Sequence, residues 1–223
     1  IVWADDTTRF YGIISAKGGV VKGNGGFVEV SGKNYLDFNG LANTSASFGD
    51  AGTLLLDPTN ITISTGVNSI ESSGATTFQE ASTATSILNT TTLQNALALN
   101  NVNVTTASAA ASAGTITVAN AVTWASANSL TLTANSTIAI NAAITTGTAA
   151  SALILNATGN VTQSAAGIIG GVGGVVKNGA GTFTVNRTNT YTGTTTINSG
   201  TVTMGANNVF ADGSTILVNG GTL

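Results

Sequence analysis

The 223-residue chain contains no cysteine and no histidine. Disulfides, thiolate nucleophiles, imidazole bases and the common zinc sites are thereby excluded, and a thiol-free chain suits export in an unfolded state. Pro58 is the single proline, which argues against a proline-rich linker. Charged residues make up 7% of the chain, against about 25% in ordinary domains, and residues 81–176 hold none. Nucleic-acid binding needs a basic stripe to meet phosphates, so that gap and a net charge of -3 speak against a nucleic-acid partner. Acid–base catalysis needs titratable groups in a cleft, and the uncharged half supplies none. No apolar run approaches the roughly 18 residues of a membrane-spanning helix. The opening Ile1-Val2-Trp3 carries no initiator methionine, basic segment or apolar leader, so the sequence is expected to be an excerpt of a longer protein.

What is present is a repeat. Thr196-Ile197-Asn198-Ser199-Gly200-Thr201-Val202 returns as Leu217-Val218-Asn219-Gly220-Gly221-Thr222-Leu223, 21 residues on. The same shift carries Val176 to Ile197 and Phe183 to Met204. A shift of 22 or 23 carries Ile116 to Ile138, Ile138 to Val161, Val161 to Phe183 and Val185, and Leu130-Thr131-Leu132 to Leu153-Ile154-Leu155. Triplets such as Ile138-Ala139-Ile140 alternate apolar and small or polar residues, the mark of a strand with one buried face. Units this short cannot bury their own apolar face and must be covered by the units above and below. The expected fold is therefore all-β, a right-handed parallel β-helix of about 21–23 residues per coil. About ten coils at a strand spacing near 4.8 Å give a rod on the order of 45 Å long.

Three blocks are expected. Residues 1–65 carry most of the charge: Asp5, Asp6, Arg9, Lys17, Lys22, Glu29, Lys33, Asp37, Asp50 and Asp57. Gly23, Gly25 and Gly26 superficially suggest a phosphate loop, but Phe27-Val28-Glu29-Val30 after them reads as a strand, so they make a tight turn. Leu54-Leu55-Leu56 reads as a strand stopped at Asp57-Pro58. Residues 66–113 are a Ser/Thr/Ala-rich excursion, in which Leu93 and Leu97 behind a threonine cap suit a short helix lying against the side of the rod, with Val102-Asn103-Val104 rejoining it. Residues 114–223 are regular coils.

Val2-Trp3-Ala4-Asp5-Asp6-Thr7-Thr8-Arg9-Phe10, Gly23-Asn24-Gly25-Gly26-Phe27-Val28-Glu29-Val30-Ser31-Gly32-Lys33 and Gly52-Thr53-Leu54-Leu55-Leu56-Asp57-Pro58-Thr59-Asn60-Ile61 together resemble the filamentous-haemagglutinin-like exoproteins of two-partner secretion in Gram-negative bacteria. The resemblance spans roughly residues 1–147. It implies a secreted β-helical adhesin, exported through an outer-membrane secretion partner, that meets a receptor or glycan on a host or neighbouring cell. Gly174-Val175-Val176-Lys177-Asn178-Gly179-Ala180-Gly181-Thr182-Phe183-Thr184-Val185, with Asn189-Thr190-Tyr191-Thr192-Gly193-Thr194-Thr195-Thr196-Ile197, resembles the autotransporter-associated β-strand repeat over residues 174–204. That implies a passenger-domain β-helix on a bacterial surface.

Two rival functions share this architecture. Pectin-degrading β-helices use clustered carboxylates, whereas Asp5, Asp6, Glu29, Asp37, Asp50 and Asp57 are spread through the first block, and Asp5-Asp6 suits a solvated turn. An ice-binding solenoid needs a regular outward threonine array. Thr117, Thr162, Thr184 and Thr203 form such a column, but Ala139 interrupts it and the positions Thr131, Ile154, Thr196 and Leu217 are mixed. No catalytic, metal or cofactor residues are expected. Asn-x-Ser/Thr triplets beginning at Asn43, Asn60, Asn89, Asn103, Asn135, Asn156, Asn160 and Asn186 are candidate glycosylation acceptors. The apolar ends of the rod are expected to favour end-to-end self-association.

Overall fold

A computed structural model describes residues 1–66, 85–106, 114–212 and 214–223. Alternating aliphatic and Thr/Asn/Ser positions make short strands, and turns separate them into successive coils. The first turn holds β1 (Val2–Ala4), β2 (Thr7–Phe10) and β3 (Ile13–Ser15), and the second holds β4 (Phe27–Gly32), β5 (Tyr35–Phe38) and β6 (Leu41–Asn43). Then come β7 (Thr53–Asp57), β8 (Ile61–Ser64), β9 (Ser86–Asn89) and the helix α1 (Thr90–Leu97). The regular coils follow: β10 (Asn101–Thr105), β11 (Ile116–Val118) and β12 (Val122–Thr123); β13 (Leu130–Ala134), β14 (Ile138–Ile140) and β15 (Ile144–Thr146); β16 (Ala152–Ala157), β17 (Val161–Gln163) and β18 (Ile169–Gly171). The last are β19 (Gly174–Asn178), β20 (Thr182–Val185), β21 (Thr195–Ile197), β22 (Thr201–Met204) and β23 (Ile216–Val218).

Stacking these coils gives a parallel β-solenoid of about eight turns and about 25 residues per turn. Its first face is one sheet in the order β1-β4-β7-β10-β13-β16-β19-β21-β23. The core is a set of inward columns. On the first face Val30, Leu56, Val104, Leu132 and Leu155 stack in register, and on the second Ile61, Ile116, Ile138, Val161, Phe183 and Val202 do the same. Burying roughly one such side chain per strand, at about 1.5–3 kcal/mol each, offsets the entropy of ordering the coils.

The chain departs from simple coiling at β8 and β9. The second face runs β2-β5 as a separate pair, then β9-β8-β11-β14-β17-β20-β22. From β7 the chain therefore passes to β8 and later returns with β9 into the level beneath it, beside β5. On the third face α1 occupies the level between β3-β6 and β12-β15-β18. The helix was expected to lie against the side of the rod; instead Leu93, Ala96 and Leu97 enter the core. Its cap is Asn89 rather than a threonine, with the Asn89 Oδ1 accepting from Thr91 N at 2.8 Å. Much of the expected excursion, residues 67–84 and 107–113, lies outside the described residues.

Coil length varies along the rod. Partners Val2 and Val30 are 28 residues apart, Leu130 and Leu153 are 23, Val175 and Thr195 are 20, and Thr196 and Leu217 are 21. The expected 21–23 fits the C-terminal half, while longer corners enlarge the first coils, so the rod has about eight turns rather than ten. Two expected alignments also shift. Ile197 lies beside Lys177, not Val176, and Phe183 lies beside Val202, with Met204 beside Val185. The loop bends at residues 20–22 rather than at the expected Gly23, Gly25 and Gly26, of which Gly23 alone takes a positive φ; a Cβ on Gly25 would sit 1.7 Å from Thr44 O, so only glycine lets the two corners stack.

Candidate functional site

Two acids that sequence spacing left apart are brought together on the outward side of the first face. Asp57 ends β7 directly beside Ser31 of β4, and the Ser31 hydroxyl donates to Glu29 Oε1 at 2.9 Å. The Asp57 Oδ1 is buried without a hydrogen-bond partner. Burial, and secondarily the Glu29 carboxylate, push the Asp57 carboxyl up to about 6. The signal was present in the sequence: Glu29, Ser31 and Asp57 share the parity that points away from the core. Asp57 can hold a proton there at mildly acidic pH. Among the described residues no three acids, histidines or cysteines gather as a metal-binding group.

The other acids serve turns and seams. Asp6 O accepts from Asn34 N and Tyr35 N, and its Oδ1 from Asn34 Nδ2 at 2.7 Å, so Asp5-Asp6 is a turn as read. Asp37 is buried, accepts from the Tyr11 hydroxyl and lies beside Arg9 in the register of β2 and β5.

Lys177 is the residue that sequence reasoning missed. It occupies the inward column between Leu155 and Ile197 and is fully buried. Its Nζ donates to Asn178 O at 2.6 Å and Gly179 O at 2.8 Å, with Ser199 O at 3.5 Å. Burial lowers its pKa from the ordinary lysine value. Gly179 and Gly200 have φ of +73° and +71°, turning these corners so that the Gly179 carbonyl and that of Ser199, just before Gly200, face the ammonium. The four-carbon stem fills the column like a leucine while the head serves the turn.

The outward columns toward the C-terminus carry no charge and mix hydroxyl, amide and aliphatic side chains. Leu55, Asn103, Thr131, Ile154, Val176, Thr196 and Leu217 form one. Next to it Asn198 Nδ2 donates to Asn178 Oδ1 at 3.0 Å and Asn219 Nδ2 to Asn198 Oδ1 at 2.8 Å, a ladder of amides climbing one coil at a time. On the second face Thr62, Thr117, Ala139, Thr162, Thr184 and Thr203 align, with Ala139 interrupting the threonines as expected.

Of the glycosylation candidates, several asparagines are engaged. Asn89 caps α1 while its Nδ2 donates to Gly66 O at 2.7 Å. Asn60 Oδ1 accepts from Thr115 N, and Asn43 Oδ1 from the Ser45 hydroxyl. Asn103 Oδ1 accepts from the Thr133 hydroxyl at 3.3 Å. Asn156 and Asn186 are half-buried. Asn135, just past the end of β13, and Asn160, just before β17, are exposed, as modification of an Nδ2 requires.

A family model described as passenger-associated-transport-repeat matches residues 175–204. Those residues run from β19 through β22 and include Lys177, the Gly179 and Gly200 corners and the start of the asparagine ladder. Curated proteins and solved structures give no match. The chain is thus a parallel β-solenoid whose C-terminal coils carry an autotransporter-type passenger repeat.

Proposed function

We propose that the chain is a fragment of a secreted bacterial surface adhesin of the filamentous-haemagglutinin-like type, a rod that binds by its side or holds a binding tip away from the cell. An outer-membrane partner would export it. The observation that carries this reading is the passenger repeat at residues 175–204 set in a solenoid with a long uncharged flank. Along residues 101–106 and 114–176 the outward groups are hydroxyls, amides and aliphatic carbons. A receptor or glycan held there is held by hydrogen bonds and apolar contact, which ions do not screen. In this reading the chain works by contact or by spacing, not by catalysis.

Adhesion of the 223-residue chain, immobilised on beads, to target cells tests this. Binding that persists between low and high salt fits the uncharged flank, whereas collapse at high salt relocates the contact to the charged first block. Beads that never adhere leave the spacer role. A second reading, polysaccharide cleavage, draws on the Glu29–Asp57 pair. Depolymerisation of a polysaccharide that disappears in both Glu29→Gln and Asp57→Asn would replace adhesion by catalysis.

A further inference from the structure

Two loops meet at one corner of the first turns. Residues 16–26 join β3 to β4, and residues 44–52 join β6 to β7. They are bonded to each other: Gly18 N donates to Ser45 O at 2.9 Å, Gly25 N to Asp50 O at 2.9 Å and Asp50 N to Asn24 Oδ1 at 3.0 Å, while Gly52 N closes the second loop on Thr44 O at 2.8 Å. At the tip, Gly19-Val20-Val21-Lys22 folds back so tightly that a Cβ on Gly19 would lie 2.7 Å from Lys22 O. Val20 and Val21 are 88% and 79% exposed there, and Phe48 in the neighbouring loop is 65% exposed.

Tight turns favour Gly, Pro, Asn, Asp and Ser, each for a local reason, and β-branched valines supply none of these. Neither valine packs on the core. The tip therefore has no folding reason to be apolar. Lys17 and Lys22 flank it, both exposed, while Asp50, the one acid of the two loops, is tied by its backbone to residues 24 and 25 at the base.

We infer that this corner docks on an anionic phospholipid surface, with Val20, Val21 and Phe48 entering the headgroup–acyl boundary and Lys17 and Lys22 resting on the headgroups. A protruding tip offers a protein partner little of the extended matching area that a stable interface needs. A fluid bilayer closes around a protrusion, and lysines beside it reach back to the phosphates while their stems stay apolar. This contact is separate from any receptor bound along the uncharged flank.

Flotation of the full chain with vesicles tests it, using phosphatidylcholine alone and phosphatidylcholine mixed with phosphatidylglycerol. The chain should float with the mixed vesicles and much less with the neutral ones. Each of Lys17→Gln and Lys22→Gln should weaken binding about fivefold at low salt, and the pair Val20→Ser/Val21→Ser should abolish it. Because these side chains touch no core, melting temperature should not move, which separates lost docking from lost folding. Tryptophan in Val21→Trp should shift its emission to the blue on vesicle addition. Val172→Ser, an exposed valine on a later turn, should bind like the parent. Failure to float with the mixed vesicles, or flotation that survives Val20→Ser/Val21→Ser, overturns the assignment.

Discussion

Ile138 and Ala139 are neighbours in the chain and opposites in environment. Ile138 lies fully buried between Ile116 and Val161, while Ala139 stands in the outward column between Thr117 and Thr162. Ile138→Asp places a carboxylate in an apolar channel and should cost on the order of 4 kcal/mol. Ala139→Asp should stay within about 0.5 kcal/mol. Thermal melts of the two variants compare these directly, and equal losses would reject the register. Asp57 gives a pH prediction. Its folded pKa, about 6, stands above the ordinary 3.8, so the charged form is the disfavoured one in the fold. The stability linked to it is fully present below pH 3.8 and fades as pH rises through 6. Asp57→Asn should therefore raise the melting temperature at pH 7 and leave it nearly unchanged near pH 4. A variant that melts lower at pH 7 would show that the carboxylate is instead favourably paired. At this scale the triplets were legible because their parity is strict. Lys177 was not, because Val175-Val176-Lys177 offers apolar atoms on both faces and only the coil length, 20 residues here, decides which side turns inward.

Between the second and third levels two of the three faces lose their backbone ladder. β5 and β9 are adjacent without pairing, and α1 replaces a strand between β6 and β12; the first face alone carries its ladder through, by β4-β7-β10. Side chains take over. Ser86 Oγ accepts from Leu36 N at 3.0 Å across the second face. On the third, the fully buried Asn100 accepts from Thr44 N at 2.7 Å, and its Nδ2 donates to Ala42 O at 3.0 Å and Ala96 O at 2.7 Å. Asn100→Ala leaves Thr44 N and Ala42 O without these partners, at about 1–3 kcal/mol for each group that water does not reach, while Ala96 O keeps its bonds from Leu99 N and Asn100 N. Hydrogen exchange followed by mass spectrometry should show the amides of β2, β3, β5 and β6 opening faster in Asn100→Ala while β14, β17 and β20 hold. Uniform acceleration along the chain would mean that the rod opens as one unit. The exposed Asn198→Ala serves as control. The short helix was legible from the Leu93–Leu97 spacing. That β9 returns beneath β8 was not, since Ser86-Ile87-Leu88-Asn89 puts its two apolar residues on opposite faces and nothing local names its neighbour.

A solenoid has no closed surface of its own at its two axial ends. In the 223-residue chain β1 pairs on one side with β4, and β23 on one side with β21. Both ends are apolar: Trp3, Tyr11 and Ile13 are exposed at one, Leu217, Val218 and Leu223 at the other. The strands run parallel throughout, so β23 of one molecule meets β1 of the next in the same sense that every level meets its neighbour. Free edges of this kind recruit further strands. End-to-end dimers or short filaments should therefore form as concentration rises, visible by light scattering. Direction of the side chain decides which variants interfere. Val218 continues the inward column from Ile197, whereas Leu217 continues the outward one from Thr196. Val218→Lys should bury a charge in the contact and restore the monomer, and Leu217→Lys should leave assembly intact, its ammonium staying in water. A chain that stays monomeric at high concentration, with both variants alike, would mean that the free strand edges and the exposed apolar side chains beside them are too small an area to hold two rods together against the entropy of association.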